Sequence, residues 1–524
     1  MIRRLFAAAA LLSTVTAAQA QGSAAPAPLP RLVDAHGARQ LEVDGRPFLM
    51  LGGELANSSA SDRGYMAARW PALAAMNVNT VLMPVSWELI EPAEGRFDFA
   101  MVDGLLADAR AAKLRVVILW FGSWKNSMSS YAPAWVKRDE RRFPRARTAD
   151  GTPLEILSPF VPANATADAR AFAALMRHLK QADPQRTVLM VQVENEIGMI
   201  PEARDRSAAA DRAFAAPLPA ALGRRGSWTQ AYGTGADEAF MAWHFARYTD
   251  VVAQAGRREY GIPLYVNAAL PRPTAVPGKG YPAAGPLPHL AELWTKGAPT
   301  IDFLAPDIYY PNFVEWTRRY AALPRNPLFI PEAGQSGAAD ATGNALFAIG
   351  ALDAMGFSPF SIDTIPAEGG ARLASLYRLL DGLSPLILAR QGTDRLWGAR
   401  APIAFDGTAD LADQTTVMAG YRLSLRFTDP WTPKEKQQPA EHGAIVLATG
   451  EGEYLIAGRG VTVTFAPADG RGVAGIEAAD EGRMEAGRFL AERRMNGDQT
   501  HQGRHVRLPP EEFTVQRVKL YRYR

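Results

Sequence analysis

Thr187-Val188-Leu189-Met190-Val191-Gln192-Val193-Glu194-Asn195-Glu196-Ile197-Gly198 is the stretch whose reading decides the fold. From Thr187 to Val193 the run is almost unbroken in apolar and β-branched residues, which predicts a strand buried on both faces, as in a parallel sheet. Two carboxylates and an amide follow directly at its C-terminal end. In a (β/α)8 barrel that end of each strand carries the functional side chains, because the βα loops line that face. Much later, Leu328-Phe329-Ile330-Pro331-Glu332 sets another acid at the end of another apolar run.

Outward from these two runs, short apolar segments alternate with helical patterns. Eight candidate strands emerge: 47–52, 80–85, 115–120, 187–193, 263–267, 303–308, 327–331 and 357–362. Phe172, Leu175, Met176 and Leu179 have the three-and-four spacing of a helix packed on a sheet, as do Met101, Val102, Leu105 and Leu106. The expected fold class is therefore α/β, a (β/α)8 TIM barrel over residues 40–390. A doubly wound open sheet fits less well, since no glycine-rich turn follows the first strand. Extra length falls in Pro201 to Gly235 and in the proline-rich Arg272 to Pro288, loops of the kind that shape a pocket. Beyond about residue 390, β-rich runs between Gly- and Pro-bearing turns predict a C-terminal antiparallel β-sandwich domain over 391–524. Gly458-Arg459-Gly460 reads as the tight connection of a hairpin.

The 524 residues suffice for a large domain with a smaller companion. Arg3 and Arg4, the apolar run Leu5 to Leu12 and Ala18-Gln19-Ala20 read as a signal peptide over residues 1–20, so the expected localisation is periplasmic or secreted. Residues 21–39 read as a linker. Two of the 57 basic residues fall in the leader, leaving 55 against 54 acidic ones. This near-neutral balance implies neither nucleic acid nor, once the leader is removed, a membrane as partner. Cysteine is absent, so thiolate metal sites and disulfides are ruled out. The seven histidines show no metal-ligand spacing, and the four-residue interval from His501 to His505 lies in a polar stretch. No metal and no cofactor is expected. Nothing in the sequence fixes an oligomeric state.

Glu196 and Glu332, at the tips of the fourth and seventh strands, would face each other across the barrel mouth. Two carboxyl groups about 5.5 Å apart are what retaining hydrolysis of a glycosidic bond uses, one as nucleophile and one as acid/base. That chemistry requires Glu196 to carry a proton and Glu332 to be ionised. Asn195 is placed to meet the sugar 2-hydroxyl, and Glu194 to share the strand face of Glu196.

The segment Val191 to Gly198 resembles the acid/base motif of glycoside hydrolase family 35, mainly exo-acting β-galactosidases of clan A. Leu51-Gly52-Gly53-Glu54 resembles the first strand tip of that family. Pro84-Val85-Ser86-Trp87-Glu88 and Glu91 to Phe99 are similar to its second-strand segment. The resemblance spans roughly residues 40–365 and implies acid/base Glu196 and nucleophile Glu332. The chain departs from larger members at Glu88, at Ile197 and at Trp120-Phe121-Gly122-Ser123-Trp124-Lys125-Asn126, and so looks like the shorter bacterial branch, some of which are similar to xyloglucan-degrading enzymes.

Around the acids, Trp87, Trp120 and Trp124 offer faces for a pyranose, and Glu54, Lys125, Asn126 and Asn267 offer hydroxyl partners. Tyr309, rather than Tyr310, is placed to bond the nucleophile, and Asp363 reads as structural. The expected function is an exported retaining exo-β-galactosidase acting on galactoside oligosaccharides, xyloglucan-derived ones among them. Competing readings are another clan A glycosidase (glucosaminidase, arabinosidase or endo-glycanase) and a non-catalytic carbohydrate-binding protein.

Overall fold

The computed structural model describes residues 28–334 and 337–524. The expected leader and the first part of the expected linker lie outside the described residues. The linker expectation is corrected from residue 31 onward: Arg31–Ala35, Ala38–Val43 and Arg46–Phe48 form a three-stranded antiparallel sheet. Its two turns are His36-Gly37 and Asp44-Gly45, all four residues with positive φ, the backbone that joins tightly paired strands without splaying them. Leu41 and Val43 then insert among Met50, Leu82, Val117 and Phe329, closing the floor of the barrel.

Eight parallel strands make that barrel: β1 Met50–Glu54, β2 Thr80–Ser86, β3 Arg115–Lys125, β4 Val188–Asn195, β5 Leu264–Ala269, β6 Phe303–Ile308, β7 Glu332–Ala333 and β8 Gly356–Phe357. Neighbours follow chain order from β1 to β7, and β8 pairs with β1. The ring closes where Ile330 bridges Phe357, through Ile330 N–H to the Gly356 carbonyl at 3.2 Å and Ser358 N–H to the Ile330 carbonyl at 3.0 Å. The seventh strand is shorter and later than the expected 327–331. Pro327 and Pro331 bring no amide hydrogen, so a continuous ladder cannot form there.

Alternation sorts the side chains. Val117, Leu119 and Phe121 of β3 fill the barrel interior, whereas Val116, Ile118 and Trp120 join the layer between strands and helices. The expected helices are present as α1 Ala100–Ala111 and α2 Pro162–Ala182, with α3 Ala236–Glu259 beside α2. Phe172, Leu175, Met176 and Leu179 are fully buried on α2. Among the described residues no helix is long and apolar enough to cross a membrane.

The C-terminal region stacks a six-stranded sheet on a four-stranded one, with Leu423, Val446, Ile456, Val463 and Val506 between them. The hairpin expectation at Gly458-Arg459-Gly460 is corrected. Glu453–Arg459 belongs to the six-stranded sheet and Val461–Pro467 to the four-stranded one, so the chain turns a corner between layers. Gly460 (φ +67) makes that corner, and a Cβ there would stand 2.1 Å from the His442 ring. The opposite face of the six-stranded sheet supplies Ile445, Leu447, Leu455 and Val515 to the apolar cluster that includes the barrel helices.

Candidate active site

The tips of β4 and β7 meet in the mouth. One oxygen each from Glu196, Asp307 and Glu332 lies within 4.8 Å of the others. Glu332 is held from three sides: by Tyr309, whose hydroxyl donates to Oε2 at 2.5 Å, by Asn195 Nδ2 to Oε1 at 3.2 Å, and by Asn267 Nδ2 at 3.4 Å. Asn267 also donates to Asp307 Oδ2 at 2.6 Å and accepts from the Glu196 backbone N–H at 3.0 Å. A single amide therefore ties together the strand ends that bear all three acids.

Among the described residues, Lys125 is the cation whose charge opposes the upward shifts of Glu54, Glu196 and Asp307. Its Nζ donates to Asn195 Oδ1 at 2.9 Å and to Asn126 Oδ1 at 2.6 Å. Burial, then the charge of Glu332, pushes the Glu196 carboxyl up to about 7, with Lys125 opposing. Burial likewise drives Glu54 and Asp307 well above the usual carboxylate range, and nearby Glu332 adds to both. Neither Glu54 oxygen meets a donor, so the Glu332 carboxyl beside it can bond it only if one of the two carries a proton. Asp307 Oδ1, the Gln192 amide and the Tyr265 hydroxyl are likewise buried without a hydrogen-bond partner among the described residues.

The fourth strand ends in a break of its alternation. Glu194 and Glu196 have φ of +62° and +45°, a conformation that costs a non-glycine residue free energy and clusters at functional sites. Glu194 consequently does not share the face of Glu196. Its Oε2 accepts from the Trp124 backbone N–H at 2.7 Å, in the layer under α2 that also holds Asp168.

Of the expected contacts, Asn195, Glu54, Lys125, Asn126, Asn267 and Tyr309 gather around the two acids, and the tryptophans do not. Trp120 is fully buried outside the barrel, its Nε1 donating to Asp168 at 2.9 Å and its ring against Phe172. It sits on the outward parity of β3. Trp87 is buried at the start of a short helix after β2, with Nε1 bonded to Glu91 at 2.8 Å and Trp135 edge-on at 5.8 Å. Trp124 packs on Phe245 and Tyr248 of α3. All three brace the wall and are corrected as sugar platforms. Asp363 accepts from Ala56 N–H at 2.8 Å and Ser59 Oγ at 2.6 Å, fixing the loop after β1. Asp307 was not singled out from sequence, although it is an acid near the end of an apolar run, the same signal that marks Glu196.

The barrel and its paired carboxylates define a class, the (β/α)8 glycoside hydrolases. Within it, residues 62–253 match the family described as Beta-galactosidase, of glycoside hydrolase family 42. Residues 373–507 match a family described as Domain of unknown function (DUF5597). The chain is 29% identical over 171 residues to a Beta-galactosidase of Xanthomonas manihotis, a match covering 30% of this chain and 25% of that protein. It thus spans about a quarter of that curated relative. Similar solved structures include the beta-galactosidase from Bacillus circulans sp. alkalophilus, with TM-score 0.49, 13% identity, 65% of this chain and 57% of that one. The cold-adapted beta-galactosidase from Rahnella sp. R3 gives TM-score 0.48 and 14% identity over 65% of this chain and 57% of its own.

Proposed function

We propose that this chain is an exported retaining exo-β-galactosidase of glycoside hydrolase family 35, releasing terminal β-galactosyl units from oligosaccharides such as those of xyloglucan. The observation that carries the reading is the approach of one oxygen each of Glu196 and Glu332 to within 4.8 Å in one buried cup, too close for the gap of about 6.5–9.5 Å that inversion through an intervening water needs.

Glu332 attacks the anomeric carbon, held by Tyr309, Asn195 and Asn267. Glu196, raised to about 7, carries the proton that the departing glycosidic oxygen needs. Once the proton has left, the Lys125 ammonium stabilises the new carboxylate. In the second half-reaction Glu196 takes a proton from water as that water attacks the glycosyl–Glu332 ester. Among the described residues, neither Glu54 oxygen nor Asp307 Oδ1 accepts from a hydrogen-bond donor. An unpaired buried polar atom costs about 1–3 kcal/mol, and the hydroxyls of a terminal sugar supply the missing bonds.

Glu332→Gly tests the reading. Hydrolysis of an aryl β-galactoside should cease, and azide should restore turnover to a product of inverted anomeric configuration. Normal activity in the variant would refute the nucleophile assignment. Aryl glycosides of arabinose, glucose and N-acetylglucosamine, compared with the galactoside, separate the glycone classes.

A further inference from the structure

The four-stranded sheet of the C-terminal region turns one face inward, with Leu423, Leu425, Val463, Val506 and Leu508 in the core. The register sets its other face. Ser424, Thr464 and His505 lie side by side across three strands, and Arg426, Thr462 and Arg507 form the next rung. These are hydroxyls, imidazole and guanidinium where an ordinary solvated face would carry scattered long charges. The segment that follows the strand of Ser424 and Arg426 brings Trp431 beside the rungs. The hollow they line has a volume of about 290 Å³, close to the lower end of small-molecule sites.

Trp431 is 52% exposed, the most exposed tryptophan among the large apolar side chains on the surface. It is nonetheless fixed. The His505 ring meets it edge-to-face at 5.3 Å, and the Arg507 guanidinium lies 5.2 Å from its centroid. His505 is in turn stacked on His501 at 5.2 Å. A second hollow of about 300 Å³ is also lined by Trp431, with Met495 and Pro509 and with Glu481, Arg493 and Asp498, charges of both signs. A rigid indole standing between two hollows is a ridge on which a flat apolar face can rest.

The charges say what kind of ligand fits. Arg426 is paired with Asp413 at 3.2 Å, and Arg507 with Asp429 through a second contact of 2.9 Å. Both guanidinium groups of the rungs thus already have a carboxylate partner, which weakens their pull on a phosphate or sulfate. His505 is only 7% exposed and its Nε2 has no hydrogen-bond partner. A buried polar atom with nothing to bond is costly, and it lines the hollow. What answers an exposed indole, a row of hydroxyls and an unpaired imidazole nitrogen is an uncharged ring with one apolar face and hydroxyl edges.

We propose that the hollow at Trp431 is a binding site for a neutral oligosaccharide, separate from the catalytic cup, and that the C-terminal region uses it to hold the polysaccharide chain. Trp431 stacks on a pyranose face, while Ser424, Thr464 and His505 Nε2 bond its hydroxyls. This goes beyond the proposed activity and does not depend on it.

The test uses the full chain carrying Glu332→Gln, titrated calorimetrically with cellohexaose and with a xyloglucan heptasaccharide that lacks galactose, so that the probes end in no β-galactosyl unit. The site predicts saturable binding of at least one probe, weakened at least tenfold by a further Trp431→Ala and several-fold by His505→Ala. In the otherwise wild-type chain, Trp431→Ala should leave kcat/KM for an aryl β-galactoside within twofold and the melting temperature unchanged. Absence of binding of either probe at millimolar concentration would overturn the proposal. So would binding indifferent to Trp431→Ala, or an equal loss of aryl-galactoside turnover in that variant. Failure of the wild type to cleave the aryl galactoside would instead refute the proposed activity, with the binding arms still readable.

Discussion

Tyr309→Phe removes one oxygen from the catalytic cup and nothing else. In the native chain that hydroxyl donates to Glu332 Oε2 at 2.5 Å, a bond to an ionisable acceptor and therefore of the stronger kind, worth about 1.5–3 kcal/mol. Two features set the value at the low end. Tyr309 is 38% exposed, so water can replace part of the loss, and Asn195 and Asn267 still hold Oε1. A loss of about 1.5 kcal/mol in transition-state stabilisation is roughly a tenfold fall in kcat/KM. The assay is initial-rate kinetics on an aryl β-galactoside, with a thermal melt to confirm the fold. On the proposed mechanism the hydroxyl orients the attacking oxygen, so the fall should reside in kcat more than in KM. A variant within twofold of wild type would show that the bond plays no part in the transition state. A thousandfold loss at unchanged melting temperature would show that Tyr309 does more than orient.

The pH profile tests Glu196. As the proposed acid/base its carboxyl must start protonated, and it is pushed up to about 7, so kcat/KM should be flat just below that pH and fall about tenfold per unit above it; an alkaline limb beginning below 5.5 would refute the assignment. Trp120→Ala empties a buried site against Phe172 and should lower stability by about 3–5 kcal/mol, read by denaturant titration, while KM of the folded fraction stays put. A raised KM at native stability would restore Trp120 as a sugar contact. Gly460→Ala places a methyl 2.1 Å from the His442 ring at a φ of +67°, and should cost upwards of about 1 kcal/mol with no change in kcat.

The barrel was readable because each buried parallel strand leaves a run such as Val188–Val193 that needs no partner to be recognised. The two acids were readable for the same reason, each standing where such a run ends. What escaped depends on side-chain parity and backbone exceptions. Trp120 looks like a ligand platform until Leu119 and Phe121 are seen to take the inner positions, and Glu194 shares a face with Glu196 only if the strand stays regular. Two left-handed residues at that tip break the rule. Asp44-Gly45, by contrast, is a turn signal within the expected barrel and marks the N-terminal hairpin.

The helix Ala341–Ala351 lies so close to the strand Leu396–Arg400 that a Cβ on Gly350 would stand 2.7 Å from the Gly398 Cα. Backbone rests on backbone there, flanked by Ile445 and Leu447 of the same sheet. A protein cut after the last barrel helix would bare this oily seam, and one grafted onto a foreign barrel would find no matching glycine to nestle against. Severing the two therefore strips packing from both, because barrel helix and sheet share a single apolar cluster.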